Sequence, residues 1–241
     1  MLSGMRADPS QELTVPTELA PAPIGVPIPA PPARGAKVAL GAAMAAVLAA
    51  TAFLVVLHVE LASAIDPVSA MLSDYAWSSG WWMWAGAMLL TSAGSVVVLV
   101  VLRRHRVLHG SLALVAMTAW CVGLAAVALF TKDPQGNAVT LVGKVHLGAT
   151  GMSCVSLPLA AWLLGRAQRN APEWQGYARW SRILAYAAVP FFLPFLIPFA
   201  ANVLFGQHLP TVATGLVERV MAVLELVELL VLAAWAWRAT D

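Results

Sequence analysis

Six stretches of about twenty predominantly apolar residues alternate with short polar segments along this chain, at about 38–59, 80–102, 108–130, 140–164, 183–204 and 216–237. At about 1.5 Å rise per residue, twenty residues span the roughly 30 Å hydrocarbon core of a bilayer. A helix also satisfies its backbone donors and acceptors internally, which lipid demands. The pattern predicts an all-α integral membrane protein, a six-transmembrane-helix bundle with short loops. Short loops make consecutive helices antiparallel neighbours. No internal repeat is visible, so the inverted-repeat pattern of many transporters is missing.

Composition agrees. The 241 residues are 60% hydrophobic and 11% charged, against roughly 25% charged in soluble domains. The net charge of +2 comes without a basic stripe, so no nucleic-acid partner is expected. The ten Trp residues suit membrane interfaces; Trp77, Trp81, Trp82 and Trp84 are expected to anchor helix 2 at headgroup level. Cys121 and Cys154 fall within apolar runs and read as small buried hydrophobes.

Residues 1–36 stand apart. The Pro- and Ala-rich run 16–32 has no helical period, which predicts a disordered cytoplasmic tail ahead of a six-helix transmembrane domain at 37–241. Arg34 and Lys37 precede the first apolar run and Ala62-Ser63-Ala64 follows it, as in a signal peptide. The run is longer than the usual roughly 7–15 residues and begins far from Met1, so it reads as an uncleaved anchor.

Lys and Arg give an orientation. Arg34, Lys37, Arg103, Arg104, Arg106, Arg166, Arg169, Arg179, Arg182 and Arg238 fall on one side, against Lys132, Lys144 and Arg219 on the other. The positive-inside rule then places both termini in the cytoplasm and three loops outside a plasma membrane. Lys144 is expected to snorkel to the interface, and the arginine clusters to touch anionic lipid.

Several features bear on packing or function. Small residues in helix 1, and Gly143, Gly148 and Gly151 in helix 4, would allow close helix approach. Pro190, Pro194 and Pro198 put three prolines on one stripe of helix 5, either opening a crevice or merely kinking it. In the first outer loop Asp66 is a suitable N-cap and Pro67 a suitable first helical residue. A short amphipathic helix is expected there, with Asp66, Ser69 and Ser73 on one face and Val68, Met71, Leu72 and Tyr75 on the other; Asp74 adjoins it.

This Asp-Pro-Val-Ser…Ser-Asp-Tyr stretch (residues 66–75) before a Trp-rich helix resembles the bacterial membrane family catalogued as domain of unknown function 998. The Lys132-Asp133-Pro134 turn, His146, and Gly215…Glu218-Arg219 fit the same pattern, and the resemblance covers about residues 38–238. It implies a six-helix bundle and no agreed activity.

The last helix carries Glu218, Arg219, Glu225 and Glu228. Glu218 and Glu225 are two turns apart on one stripe and Glu228 lies close to it. Glu225 and Glu228 fall about 12 and 16 Å below the outer end, where a charge costs about 3 kcal/mol or more. They are either core acids bonded across helices or functional groups. His146 is either a hydrogen-bonded core residue or a ligand; with His58 and His208 it could contribute to metal binding, but no H-E-x-x-H or equivalent spacing supports a metal or other cofactor. The H-x-x-x-H pair of alkaline-ceramidase-like hydrolases is lacking too, as are a nucleophile elbow, Walker motif and C-x-x-C.

The candidate residues are thus Asp66, Ser69, Ser73, Asp74, Asp133, His146, Glu218, Arg219, Glu225 and Glu228, all on the outer half. They suit a non-catalytic protein binding a lipid ligand or partner membrane protein in an extracytoplasmic polar pocket. A proton-coupled transporter relaying through Glu225 and Glu228 is the alternative, and an outer-face lipid-modifying enzyme the third.

Overall fold

The computed structural model describes residues 33–134, 138, 140–207 and 213–241. The predicted tail and His208 lie outside these, except that the first helix already begins within the tail's last residues. Six long helices form: α1 (Ala33–Glu60), α2 (Trp81–Arg104), α3 (Ser111–Leu129), α4 (Leu141–Ala167), α5 (Gln175–Phe205) and α6 (Thr214–Arg238). Each is long and apolar enough to cross a membrane. The chain is a multi-pass, all-α membrane protein, and no strand forms among the described residues.

Consecutive helices pack side by side, and α6 also touches α1, α2 and α4. It is therefore the central element. The buried positions of α1 are Ala36, Leu40, Ala43, Val47, Ala50 and Leu57. They recur at spacings of three, four or seven, one seam facing the bundle. Gly94 of α2 lies against this seam: a Cβ there would come within 3.0 Å of the Ala43 carbonyl. Of the three α4 glycines expected to pack closely only Gly143 is crowded; Gly148 and Gly151 face open space, while a Cβ on Gly165 would meet the Ala178 carbonyl of α5.

One end carries both described termini, where Lys37 Nζ and Asp241 Oδ1 pair at 2.5 Å. At the opposite end residues 66–77 cross the bundle as a strap. The predicted amphipathic helix on the interface is corrected here in two ways. A turn at 67–70 gives way to extended backbone at Met71 and then a 3-10 turn, Leu72–Trp77. Ser73 is buried together with Leu72 and Tyr75, not set on a wet face with Asp66 and Ser69. The carbonyls and amides that would continue a helix bond to α6 instead.

Two further expectations change. Trp77, Trp81 and Trp82 are about half exposed, as interfacial anchors are, but Trp84 is 2% exposed and points into the bundle. The three prolines sit in an unbroken α5, from Pro190 onwards no described residue of that helix is buried, and α5 lines no part of the principal cavity.

Candidate functional site

The strap is held from several sides. Asp66 accepts from the amides of Val68 (3.1 Å) and Ser69 (3.2 Å) and from the Ser69 hydroxyl (2.5 Å), the N-cap chemistry its position predicted. It lies outside the membrane-spanning helices, and the Ser69 hydroxyl and Val68 amide hold its carboxyl below the usual carboxylate value. Asp74 accepts from the Met71 amide at 2.7 Å and pairs with Lys132 beyond α3.

Arg219 of α6 joins the strap to the bundle. Nη1 donates to the carbonyls of Pro67 (2.9 Å), Ala70 (2.7 Å) and Gly215 (3.0 Å). Nε donates to His58 Nε2 at 2.7 Å, and Nη2 to the Tyr75 hydroxyl at 3.4 Å. His58 Nδ1 donates to the Leu54 carbonyl at 2.7 Å, so the neutral Nδ1–H tautomer satisfies both ring nitrogens. The first turn of α6 has amides without helical partners; Leu216 N donates to Val68 O at 3.1 Å and so reaches the strap. Gly215 is required at this crossing, because a Cβ would collide with the Ala70 carbonyl. Glu218 accepts from Leu72 N at 2.7 Å.

Beneath the strap lies a cavity of about 90 Å³ between α1, α2, α3, α4 and α6. Leu72 and Ser73 contribute from the strap; Trp84, Thr91 and Trp120 from α2 and α3; Thr150, Ser153 and Cys154 from α4; Glu218, Ala222 and Glu225 from α6. Glu225 is 7% exposed and its Oε1 has no partner. Glu228 is 1% exposed, also with an unpartnered Oε1, but does not line the cavity. It shares a stripe, seven residues apart, with Trp235, which stacks on Tyr177 of α5.

Of the ten residues singled out from sequence, three therefore line the cavity: Ser73, Glu218 and Glu225. Arg219, Asp66, Ser69 and Asp74 build the strap. Asp133 accepts from Thr140 N (2.8 Å) and Oγ1 (2.7 Å), tying the α3–α4 loop to the start of α4. His146 Nδ1 donates to the Phe130 carbonyl at 2.6 Å, closing the end of α3, and lies outside the cavity wall. Trp84, Trp120, Thr91 and Cys154 were not anticipated as lining. A Trp at the middle of span 108–130, far from either interface, was the available signal.

No match to the chain is found among curated proteins or solved structures. The family model described as "Protein of unknown function (DUF998)" matches residues 43–235, well over half of the chain, and the protein belongs to that family.

Proposed function

We propose that this protein is a membrane-embedded binding protein that receives an amphiphile, most simply a membrane lipid, in the cavity beneath the strap. The arginine distribution orients the strap and cavity to the outer face of a bacterial plasma membrane, with both termini in the cytoplasm. The cavity carries the reading: mostly apolar walls, a few convergent polar groups and a buried carboxyl are the usual lining of a small-molecule site, and its volume of about 90 Å³ takes a headgroup-sized part of the ligand. A partner membrane protein would have to approach the strap rim at Asp66 and Ser69 instead.

The proton-relay reading is favoured by one observation, the adjacent unpartnered acids Glu225 and Glu228. It is weakened by another, because Glu228 is sealed away from the cavity. A lipid-modifying site would need a histidine within reach of a carboxylate. His58 bonds Arg219 and Leu54, and His146 bonds Phe130, so neither supplies that pair.

The test fills the cavity. The full chain, purified in mild detergent with phosphatidylethanolamine and phosphatidylglycerol added, is weighed intact by native mass spectrometry, as wild type and as Ala222→Phe. One retained lipid per wild-type chain and none on a folded Ala222→Phe chain is expected. Equal retention by both would refute the cavity as the binding place.

A further inference from the structure

The hydrogen-bonding character of the cavity is mainly accepting, with the Ser73 hydroxyl its one uncommitted O–H donor among the described residues. Three hydroxyls of its wall are committed as donors to their own helices: Thr91 to Ala87 O (2.8 Å), Thr150 to His146 O (2.9 Å) and Ser153 to Ala149 O (2.6 Å). Each has only acceptor capacity left for the cavity. Glu218 and Glu225 add carboxyl oxygens, seven residues and about 10 Å apart along α6. The indole N–H of Trp120 is also committed, to Ser95 Oγ at 2.9 Å, so that ring has its face and edge left to offer.

No cation of the protein meets these acceptors. Neither Lys nor Arg lines the cavity. Arg219 is committed to strap carbonyls and His58, and Lys132 to Asp74. Glu225, more than nine-tenths buried, lines the cavity and keeps its Oε1 unpartnered. A buried acceptor left empty is costly, and a charged donor is the strongest available partner. Indole rings of Trp84 and Trp120 on the same wall attract cations as well.

We propose that the cavity recognises a primary ammonium group on a short alkyl chain, with Glu225 as its principal acceptor. This rests on the cavity being a binding place and names what it takes. An anion or a carbonyl compound finds almost no donor there. A quaternary ammonium brings positive charge but no N–H. A primary ammonium brings three donors, and the apolar remainder of the wall suits its alkyl chain. Two sources carry this chemistry: the aminoethyl headgroup of phosphatidylethanolamine and a free alkylamine.

The experiment compares hexylammonium, 1-hexanol and hexanoate as stabilisers of the full chain in detergent, by melting temperature across a concentration series. Hexylammonium is expected to bind at least about tenfold more tightly than hexanol, and hexanoate least. Glu225→Gln should bring hexylammonium to the level of hexanol, and Ala222→Phe should remove the response to both. Equal binding of hexanol and hexylammonium to the wild type would overturn the ammonium proposal while leaving the cavity as a binding place. Failure of all three ligands would overturn both. The wild-type comparison decides the matter even if Glu225→Gln does not fold. Phosphatidylethanolamine retained in preference to phosphatidylcholine assigns the source as a lipid; hexylammonium binding without that preference assigns it as a free amine.

Discussion

Arg219→Ala is the most incisive perturbation of the strap. It removes the donors to three carbonyls and to His58 Nε2. Hydrogen bonds from a charged donor contribute about 1.5–3 kcal/mol each. At the lower end four come to about 6 kcal/mol, and partial exposure with shared geometry reduces this to about 3 kcal/mol. For a chain of this length that is a fall in melting temperature of about 6–12 °C. Hydrogen exchange supplies the local readout: the amides of Leu72 and Leu216, which bond Glu218 and Val68, should lose protection. Arg219→Lys keeps the charge but cannot serve His58 and the carbonyls from separate nitrogens, so it should fall between the two. Melting within about 1 °C of wild type with unchanged protection of both amides would refute the role assigned to this side chain.

Gly215→Ala should cost about 2 kcal/mol by thermal unfolding, since its Cβ meets the Ala70 carbonyl, whereas Gly148→Ala meets nothing and should be neutral or mildly stabilising. Trp84→Ala should cost about 3–5 kcal/mol and Trp82→Ala, at a half-exposed position, under about 1 kcal/mol in the same assay. Asp66 has its folded-state carboxyl held below the unfolded value. Its contribution to strap order is thus fully present above the unfolded pKa near 3.9 and is lost as pH falls through the lower folded value. Exchange of the Val68 and Ser69 amides should stay slow at pH 5, and Asp66→Ala should abolish that protection at every pH.

The six spans were legible because lipid forces each crossing to be long, apolar and helical, which leaves a plain mark on the sequence. The start of α5 was not. The span was expected from 183, yet the helix begins at Gln175, because Ala178 and Ser181 are buried while neighbouring Arg179 and Arg182 break the apolar pattern. The path of the strap was illegible for a different reason. Arg219 bonds backbone carbonyls about 150 residues away, and a carbonyl accepts whatever its side chain, so no residue type records the pairing. In the Trp-Trp-Met-Trp run the residue type alone could not separate Trp81 and Trp82, which face outward, from Trp84, which faces in. Glu225 was legible as costly in lipid, but that it lines the cavity while Glu228 does not depends on a rotation of about 60° around α6.

That rotation also bears on the proposed reading of a binding place against a conduit. Beyond Glu228 the buried face of α6 continues as Leu229, Leu232, Ala233 and Ala236, each 3% exposed or less. They pack with Leu102, Met117 and Leu157 in one apolar core that fills the half of the bundle nearest the termini. A proton or solute passing Glu225 would have to cross this core, where the described packing offers no continuous line of polar groups. The strap half is built oppositely, with a cavity, two acids at its wall, and a cover fastened to α6 through Arg219, Glu218 and the Leu216 amide. Motion of least cost therefore lies at the strap, because it is a short loop held by hydrogen bonds to α6 and by Leu72 and Tyr75, whereas apolar packing closes the other half across the bundle's width. A ligand that enters and leaves by the same end fits this asymmetry. On that reasoning Arg219→Ala should speed both binding and release of hexylammonium by similar factors, leaving its equilibrium affinity near the wild-type value, whereas Glu225→Gln should act on release alone. Rates of binding and release in Arg219→Ala equal to those of the wild type would contradict the strap as the cover.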